Sequence, residues 1–242
     1  MVIESLENSR VKKYKKLKKR KYRDEYKEFI VEGLHSVREA FRSGIIEELI
    51  LEEGVDLPFE SPYVYVTRDI INKISSTDTP SSIMALCKII DRKEEIGNKI
   101  LVLDNIQDPG NLGTIIRSAK AFNIDTIILS EDTVDLYNPK VVRATQGIMF
   151  HMNIIRKDIV KEIKSLKKDG YVIYGTNVKR GTNVRKLSKE RKYVLIVGNE
   201  GNGVREEVSK LCNKYAHIKM NENCESLNVG VATSIMLYEL SK

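Results

Sequence analysis

Tyr193-Val194-Leu195-Ile196-Val197-Gly198-Asn199-Glu200-Gly201-Asn202-Gly203 joins five consecutive apolar residues to a polar, glycine-rich loop. A strand with one wet face alternates apolar and polar side chains, whereas an unbroken apolar run reads as a parallel strand covered on both faces. Helices must supply that cover, so the run argues for an α/β fold. The loop then falls at a strand end, where open parallel sheets collect ligands. Its glycines are spaced G-x-x-G-x-G, the reverse of the dinucleotide fingerprint.

The rest of the second half of the chain alternates in the same way. Residues 100–103, 126–129 and 171–174 read as strands, and 148–154 and 216–220 as extended. Helices are expected over 112–122, 139–146, 204–211 and 227–240, with another that Asp158 caps and Gly170 ends. The first half gives strands at 28–31, 45–51, 63–66 and 83–90. Its helices cover 34–42, stopped by Gly44, and a short stretch from Thr67 to Ile74. Residues 91–98 are charged and close on Gly97-Asn98, which places a linker there. Two domains follow, 1–92 and 97–242, and no internal repeat is apparent.

Charge is concentrated in one place. Ten of the fourteen residues from Arg10 to Arg23 are Lys or Arg, with no acid among them. Taking those ten from the chain's +7 leaves −3 for the rest. Val11, Tyr14, Leu17 and Tyr22 interrupt the run at helical intervals, so Ser9 is expected to cap a helix with an apolar stripe inward and lysines outward. So many like charges repel one another unless an anionic partner is present. Nucleic-acid phosphates are the expected partner, with Lys12, Lys15, Lys16 and Lys19 as contacts. A membrane surface fits less well, because the stripe lacks Trp and Phe.

Several classes are disfavoured. No apolar stretch approaches the ~18 residues of a membrane span, and Met1-Val2-Ile3-Glu4 leads into no signal-peptide core. Cys87, Cys212 and Cys224 are odd in number and form no C-x-x-C pair, so neither a disulfide framework nor a zinc site is expected. The expectation is a cytoplasmic protein with reduced thiols and no metal. The chain has no P-loop and no G-x-S-x-G elbow, and His35, His151 and His217 lack triad-like or ligand-like neighbours.

Three strand-end loops remain: Asp108-Pro109-Gly110-Asn111-Leu112-Gly113 with Arg117 beyond it, then 198–203, then 221–228. Singly, each reads as a turn, a tight corner or a helix cap. Together, Asn111/Gly113/Arg117, Val197 to Gly203, and Ser226 to Ala232 resemble the three ordered motifs of the SpoU/TrmH RNA ribose methyltransferases, of the knotted SPOUT class. Asp104, Asp108-Pro109 and the 137–143 stretch with Gly147 are similar to the subfamily that modifies large-subunit rRNA. Residues 1–92 resemble its ribosomal-protein-like substrate-binding domain. Gly230 stands where the family more often has Ser or Ala, and Thr145-Gln146 where it has a small residue and Met.

The resemblance implies a C-terminal parallel-sheet domain with a deep trefoil knot and a small N-terminal α/β domain. It implies S-adenosylmethionine as cofactor and a ribose 2′-hydroxyl of structured RNA as acceptor, rRNA ahead of tRNA. It assigns chemistry to Arg117, as electrostatic stabiliser or general base, with Asn111, Ser226 and Asn228 orienting groups around it, and makes Glu200 a weaker catalytic candidate that either binds locally or braces its loop. It assigns the cofactor to Thr176, Gly198, Ile218, Met220 and Leu227. It implies a homodimer, for which Val229, Ala232, Ile235, Met236 and Leu240 on the last helix offer an apolar face that serves equally as monomer core. The rival from a different class is a non-catalytic RNA-binding protein; retention of Asn111, Arg117, Glu200, Ser226 and Asn228 argues against it.

Overall fold

The computed structural model describes residues 2–92, 95–178, 180–188 and 190–241; Lys93 and Glu94 of the expected linker lie outside the described residues. The chain forms two units, Met1–Asp91 with Asp135–His151, and Arg92–Val134 with Met152–Lys242. The segment 135–151, read from sequence as part of the second domain, therefore packs with the first unit.

In chain order the first unit holds β1 (Val2–Ile3), α1 (Ser9–Lys16), α2 (Arg20–Tyr26), β2 (Glu28–Glu32), α3 (Leu34–Arg42), β3 (Ile46–Glu52), β4 (Tyr63–Val66), α4 (Arg68–Ile74) and β5 (Ile83–Lys88). Its sheet runs β1-β4-β3-β5-β2, with β5 antiparallel to both neighbours and the other pairs parallel. The basic segment is two helices rather than one, and Asn8, not Ser9, caps the first by accepting from the Arg10 N–H at 2.9 Å. Val11, Tyr14 and Leu17 are buried against Ile70, Ile71 and Ile74, as the apolar stripe requires.

The second unit begins with β6 (Lys99–Leu103), α5 (Pro109–Ala121) and β7 (Thr126–Leu129). Next, α6 (Pro139–Ala144) belongs to the first unit, where the Tyr137 ring lies 4.8 Å from Phe29 and Asp135 pairs with buried Arg23 at 2.5 Å. Residues 148–151 form a 3-10 turn instead of the expected extended chain. The second unit resumes with β8 (Asn153–Arg156), α7 (Ile159–Lys168), β9 (Val172–Thr176), β10 (Thr182–Asn183), β11 (Tyr193–Val197), α8 (Glu206–Ser209), β12 (Lys214–His217) and α9 (Val229–Ser241).

The second sheet runs β10-β12-β9-β11-β6-β7-β8, with every pairing parallel. All five residues of β11 are buried. One sheet face packs Ile100, Val102, Ile128, Val194 and Ile196 against Ile159, Ile163 and Leu166 of α7. Strand order reverses between β6 and β11, so their carboxyl ends flank a topological switch point. Moreover, β12 lies between β9 and β10, which follow one another in the chain, so the link between those two crosses β12. The crossing is tight at Gly181 (φ +105°), where a Cβ would stand 2.2 Å from the Tyr215 carbonyl oxygen.

Candidate active site

The site is built where β6 and β11 end. Asp108 caps α5, its Oδ1 accepting from the Asn111 N–H at 2.7 Å, and Pro109 takes the first turn, where no N–H is needed. Glu200, on the loop after β11, turns its carboxylate back to that helix start. Oε1 accepts from the Asp108 N–H at 3.2 Å and from Asn111 Nδ2 at 3.1 Å; Oε2 accepts from the Gln107 N–H at 3.4 Å. A carboxylate is favourable there because the first-turn amides have no helical partner. Partial burial pushes the Glu200 carboxyl up, but the hydrogen bonds from Asn111 and from backbone amides outweigh it and hold the group below the usual carboxylate range.

The third loop joins through Asn228. Its Nδ2 donates to Asn111 Oδ1 at 2.9 Å, and its Oδ1 accepts from the N–H groups of Gly230 and Val231 at 2.9 and 3.2 Å. Asn228 is thus the cap of α9. Because an ionised carboxylate only accepts, Asn111 must give its nitrogen to Glu200 and its oxygen to Asn228. Glu200, Asn111 and Asn228 therefore form one directional chain that ties all three motifs together.

Thr176, Gly198, Ile218, Met220 and Leu227, the five residues proposed from sequence for the cofactor, line one cavity of about 630 Å³, together with Glu200 and Ser226. Ligand pockets for small molecules run from roughly 300 to 1,000 Å³. Gly198 is required by closure of its loop: a Cβ there would stand 2.1 Å from the Gly203 carbonyl carbon, while Asn199 and Gly203 bond back to back at 2.9 Å.

Other expected site residues are not brought to this cavity. Arg117 is exposed on α5, makes no hydrogen bond or ion pair among the described residues, and is not among the residues lining the cavity. Asn111 and Asn228 stand behind it, bonded to Glu200 and to each other. Lys12, Lys15, Lys16 and Lys19 are exposed on the other unit; Lys12 already pairs with Glu7 at 2.6 Å. Arg180 and Tyr215 line the cavity and were missed by the sequence reading, although the polar stretch after β9 marks a further strand-end loop. Among the described residues no group of three or more His, Cys, Asp or Glu gathers as a metal site needs.

Strand-end loops that close one ligand cavity at the switch point of a parallel sheet are the arrangement of an α/β domain that binds a small ligand at its strand ends. The chain belongs to the SpoU rRNA Methylase family, whose model matches residues 98–238, and residues 8–85 match the MRM3-like substrate binding domain. It is 35% identical to the 23S rRNA (guanosine(2553)-2'-O)-methyltransferase RlmP of Bacillus subtilis (strain 168), over 98% of each chain. Among solved structures it is similar to the AdoMet-bound rRNA methyltransferase from Sinorhizobium meliloti, with TM-score 0.87, 29% identity and 99% and 97% of the two chains covered. A TrmH-family RNA methyltransferase structure from Porphyromonas gingivalis gives TM-score 0.86 at 28% identity, covering 98% of each chain.

Proposed function

We propose that the protein transfers a methyl group from S-adenosylmethionine to a ribose 2′-hydroxyl of ribosomal RNA. The observation that carries this reading is the convergence of all three motif loops on one cavity of cofactor size, with Glu200, Asn111 and Asn228 bonded in series behind it. Apolar Ile218, Met220 and Leu227 suit the flat face of an adenine, and the backbone of Thr176 and Gly198 offers the polar groups that orient it. The cofactor supplies an electrophilic methyl group on a sulfonium.

A ribose hydroxyl is a weak nucleophile, so the protein must stabilise the negative charge that develops on its oxygen. Arg117 suits that role, because it is an exposed cation that no acid of the described residues neutralises. We assign it an electrostatic role on the acceptor oxygen and the neighbouring phosphate. Ser226, on the cavity wall, orients the ribose, while Asn111, Asn228 and Glu200 hold the loops in register.

Because Arg117 does not line its own chain's cavity, we infer a homodimer in which each site is completed by the other copy. Supporting it, α5 and α9 are bound side by side through Ser118 and Ser234 at 2.7 Å, and Tyr238 on α9 is 50% exposed with Phe122 packed on it. The reading also includes the trefoil knot, supported by β12 lying between β9 and β10, and a ribosomal-protein-like RNA-binding role for the first unit, with Lys15, Lys16 and Lys19 on phosphates. Ribosomal RNA as substrate puts the protein in the cytoplasm.

The test is incubation of the purified protein with labelled S-adenosylmethionine and unmodified 23S rRNA, followed by mapping of 2′-O-methyl sites. Guanosine 2553, the position in the name of the B. subtilis relative, is the first to inspect. Ribose methylation is expected; label on tRNA alone would move the substrate, and binding of RNA without methyl transfer would favour a non-catalytic RNA-binding protein.

A further inference from the structure

The cavity loop 198–203 is held at both ends by two consecutive residues just past β6, Asp104 and Asn105, which lie outside the three ordered motifs. At its far end, Arg205 donates to Asp104 twice, from the backbone N–H to Oδ2 at 2.9 Å and from Nε to Oδ1 at 2.7 Å. Asp104 is fully buried, and its own N–H bonds to the Val197 carbonyl at 2.8 Å, immediately before the loop. At the near end, Asn199 donates from Nδ2 to the Asn105 carbonyl at 2.8 Å. Asn105 sits at φ +61°, a left-handed conformation that asparagine tolerates better than most residues and that turns the chain sharply after Asp104.

A buried carboxylate is costly unless paired and hydrogen-bonded. Here both oxygens of Asp104 are taken by the one residue that ends the cofactor loop. The side chain of Arg205 is 36% exposed and also lies 3.6 Å from Asp132 and 3.5 Å from Glu207, so those acids hold its guanidinium from the solvent side. The pair does not line the cavity, but the segment between its two anchors, Gly198 to Gly203, does.

We infer that Asp104 and Arg205 are positioning residues that fix the cofactor loop in its binding shape, so that the pair sets the affinity for S-adenosylmethionine without touching it. This rests on the proposed identity of the cavity's ligand. Freed from Asp104, the loop keeps its internal Asn199–Gly203 bridge but loses its fixed place relative to β6, and binding must then restore that order.

The test uses the full-length protein and three variants: Asp104→Asn, Arg205→Ala and Arg205→Lys. Calorimetry measures the Kd for S-adenosylmethionine, and steady-state assays measure KM for cofactor and for RNA separately. Asp104→Asn and Arg205→Ala are expected to raise the cofactor Kd and KM by about tenfold, equivalent to ~1.4 kcal/mol. The KM for RNA should stay within twofold, because the basic helices belong to the other unit. Arg205→Lys should recover part of the affinity, since lysine restores the charge and the backbone N–H remains, but not the second planar bond. Arg205→Ala removes only a partly exposed side chain and keeps the inference testable if Asp104→Asn does not fold. A lowered melting temperature with unchanged cofactor Kd and KM in the folded variants would show that the pair serves stability alone. Failure of the unsubstituted protein to bind the cofactor would instead overturn the proposed function.

Discussion

Arg117 and Glu200 are both charged residues of the motif loops, and the structure gives them opposite circumstances. Arg117 is exposed without a partner among the described residues, while Glu200 is bonded to Asn111 and to two amides of the α5 start. Replacing Arg117 with Ala should therefore lower methyl transfer about a hundred- to a thousandfold, the loss typical of one transition-state donor, and leave the cofactor Kd unchanged. Single-turnover assays with calorimetry alongside check both halves. Glu200 should act through loop order, and its pH behaviour follows from its lowered pKa. A carboxyl held below its ordinary value of 4.5 contributes stability above that pH and loses it as pH falls through the folded value. Thermal melts of Glu200→Gln should show a deficit at neutral pH that shrinks in acid; a deficit independent of pH would assign the effect to packing. The motif residues were legible because their types and spacing are tied to chemistry. The Asp104–Arg205 pair was not, since a hundred residues of sequence separate partners that only parallel pairing of β6 with β11 brings together.

Elements were legible where one local signal suffices. The continuous apolar run at Tyr193–Val197 became the fully buried β11, and the stripe of Val11, Tyr14 and Leu17 became the inner face of α1 and the turn after it. The two-residue strands β1 and β10 were not, because a pair of residues has no period and each exists only through its neighbour, β4 and β12 respectively. Nor could composition say that Arg23, in the basic run, would be 4% exposed and bonded to the carbonyls of Leu17 and Lys18. Two glycines make a contrast. Gly198→Ala would drive a Cβ to 2.1 Å from backbone and should open the loop and abolish cofactor binding. Gly230→Ala meets Asn228 and Thr114 at 3.2 Å, a crowding that partly offsets the ~1 kcal/mol gained in helix propensity. Its stability should change by less than about 1 kcal/mol in urea unfolding.

At the scale of the whole molecule, the proposed function assigns RNA capture and chemistry to different units. Of the ten basic residues in the run, Arg10, Lys12, Lys13, Arg20 and Arg23 already pair with Glu48, Glu7, Glu28, Asp24 and Asp135. The other five, Lys15, Lys16, Lys18, Lys19 and Lys21, are exposed, with the Lys16 ammonium 5.3 Å from the centre of the Tyr22 ring. Replacing Lys12, Lys15, Lys16 and Lys19 with Gln should weaken binding to many RNAs alike and flatten the salt dependence of log K by roughly 0.7–0.9 per lost contact. Lys12 should count least, because Glu7 competes for it; filter binding across a salt series reads both effects. The domain bounds were only partly legible, since residues 135–151 carry helix and turn signals but nothing that says which unit receives them. Methyl transfer to ribose at the cavity of the second unit can be read by mass spectrometry of nucleosides from 23S rRNA treated with the purified protein and deuterated-methyl S-adenosylmethionine. A labelled 2′-O-methylnucleoside that vanishes with Arg117→Ala is expected. A label on a base, or none from a folded protein that binds both partners, would rule out ribose methylation by this cavity.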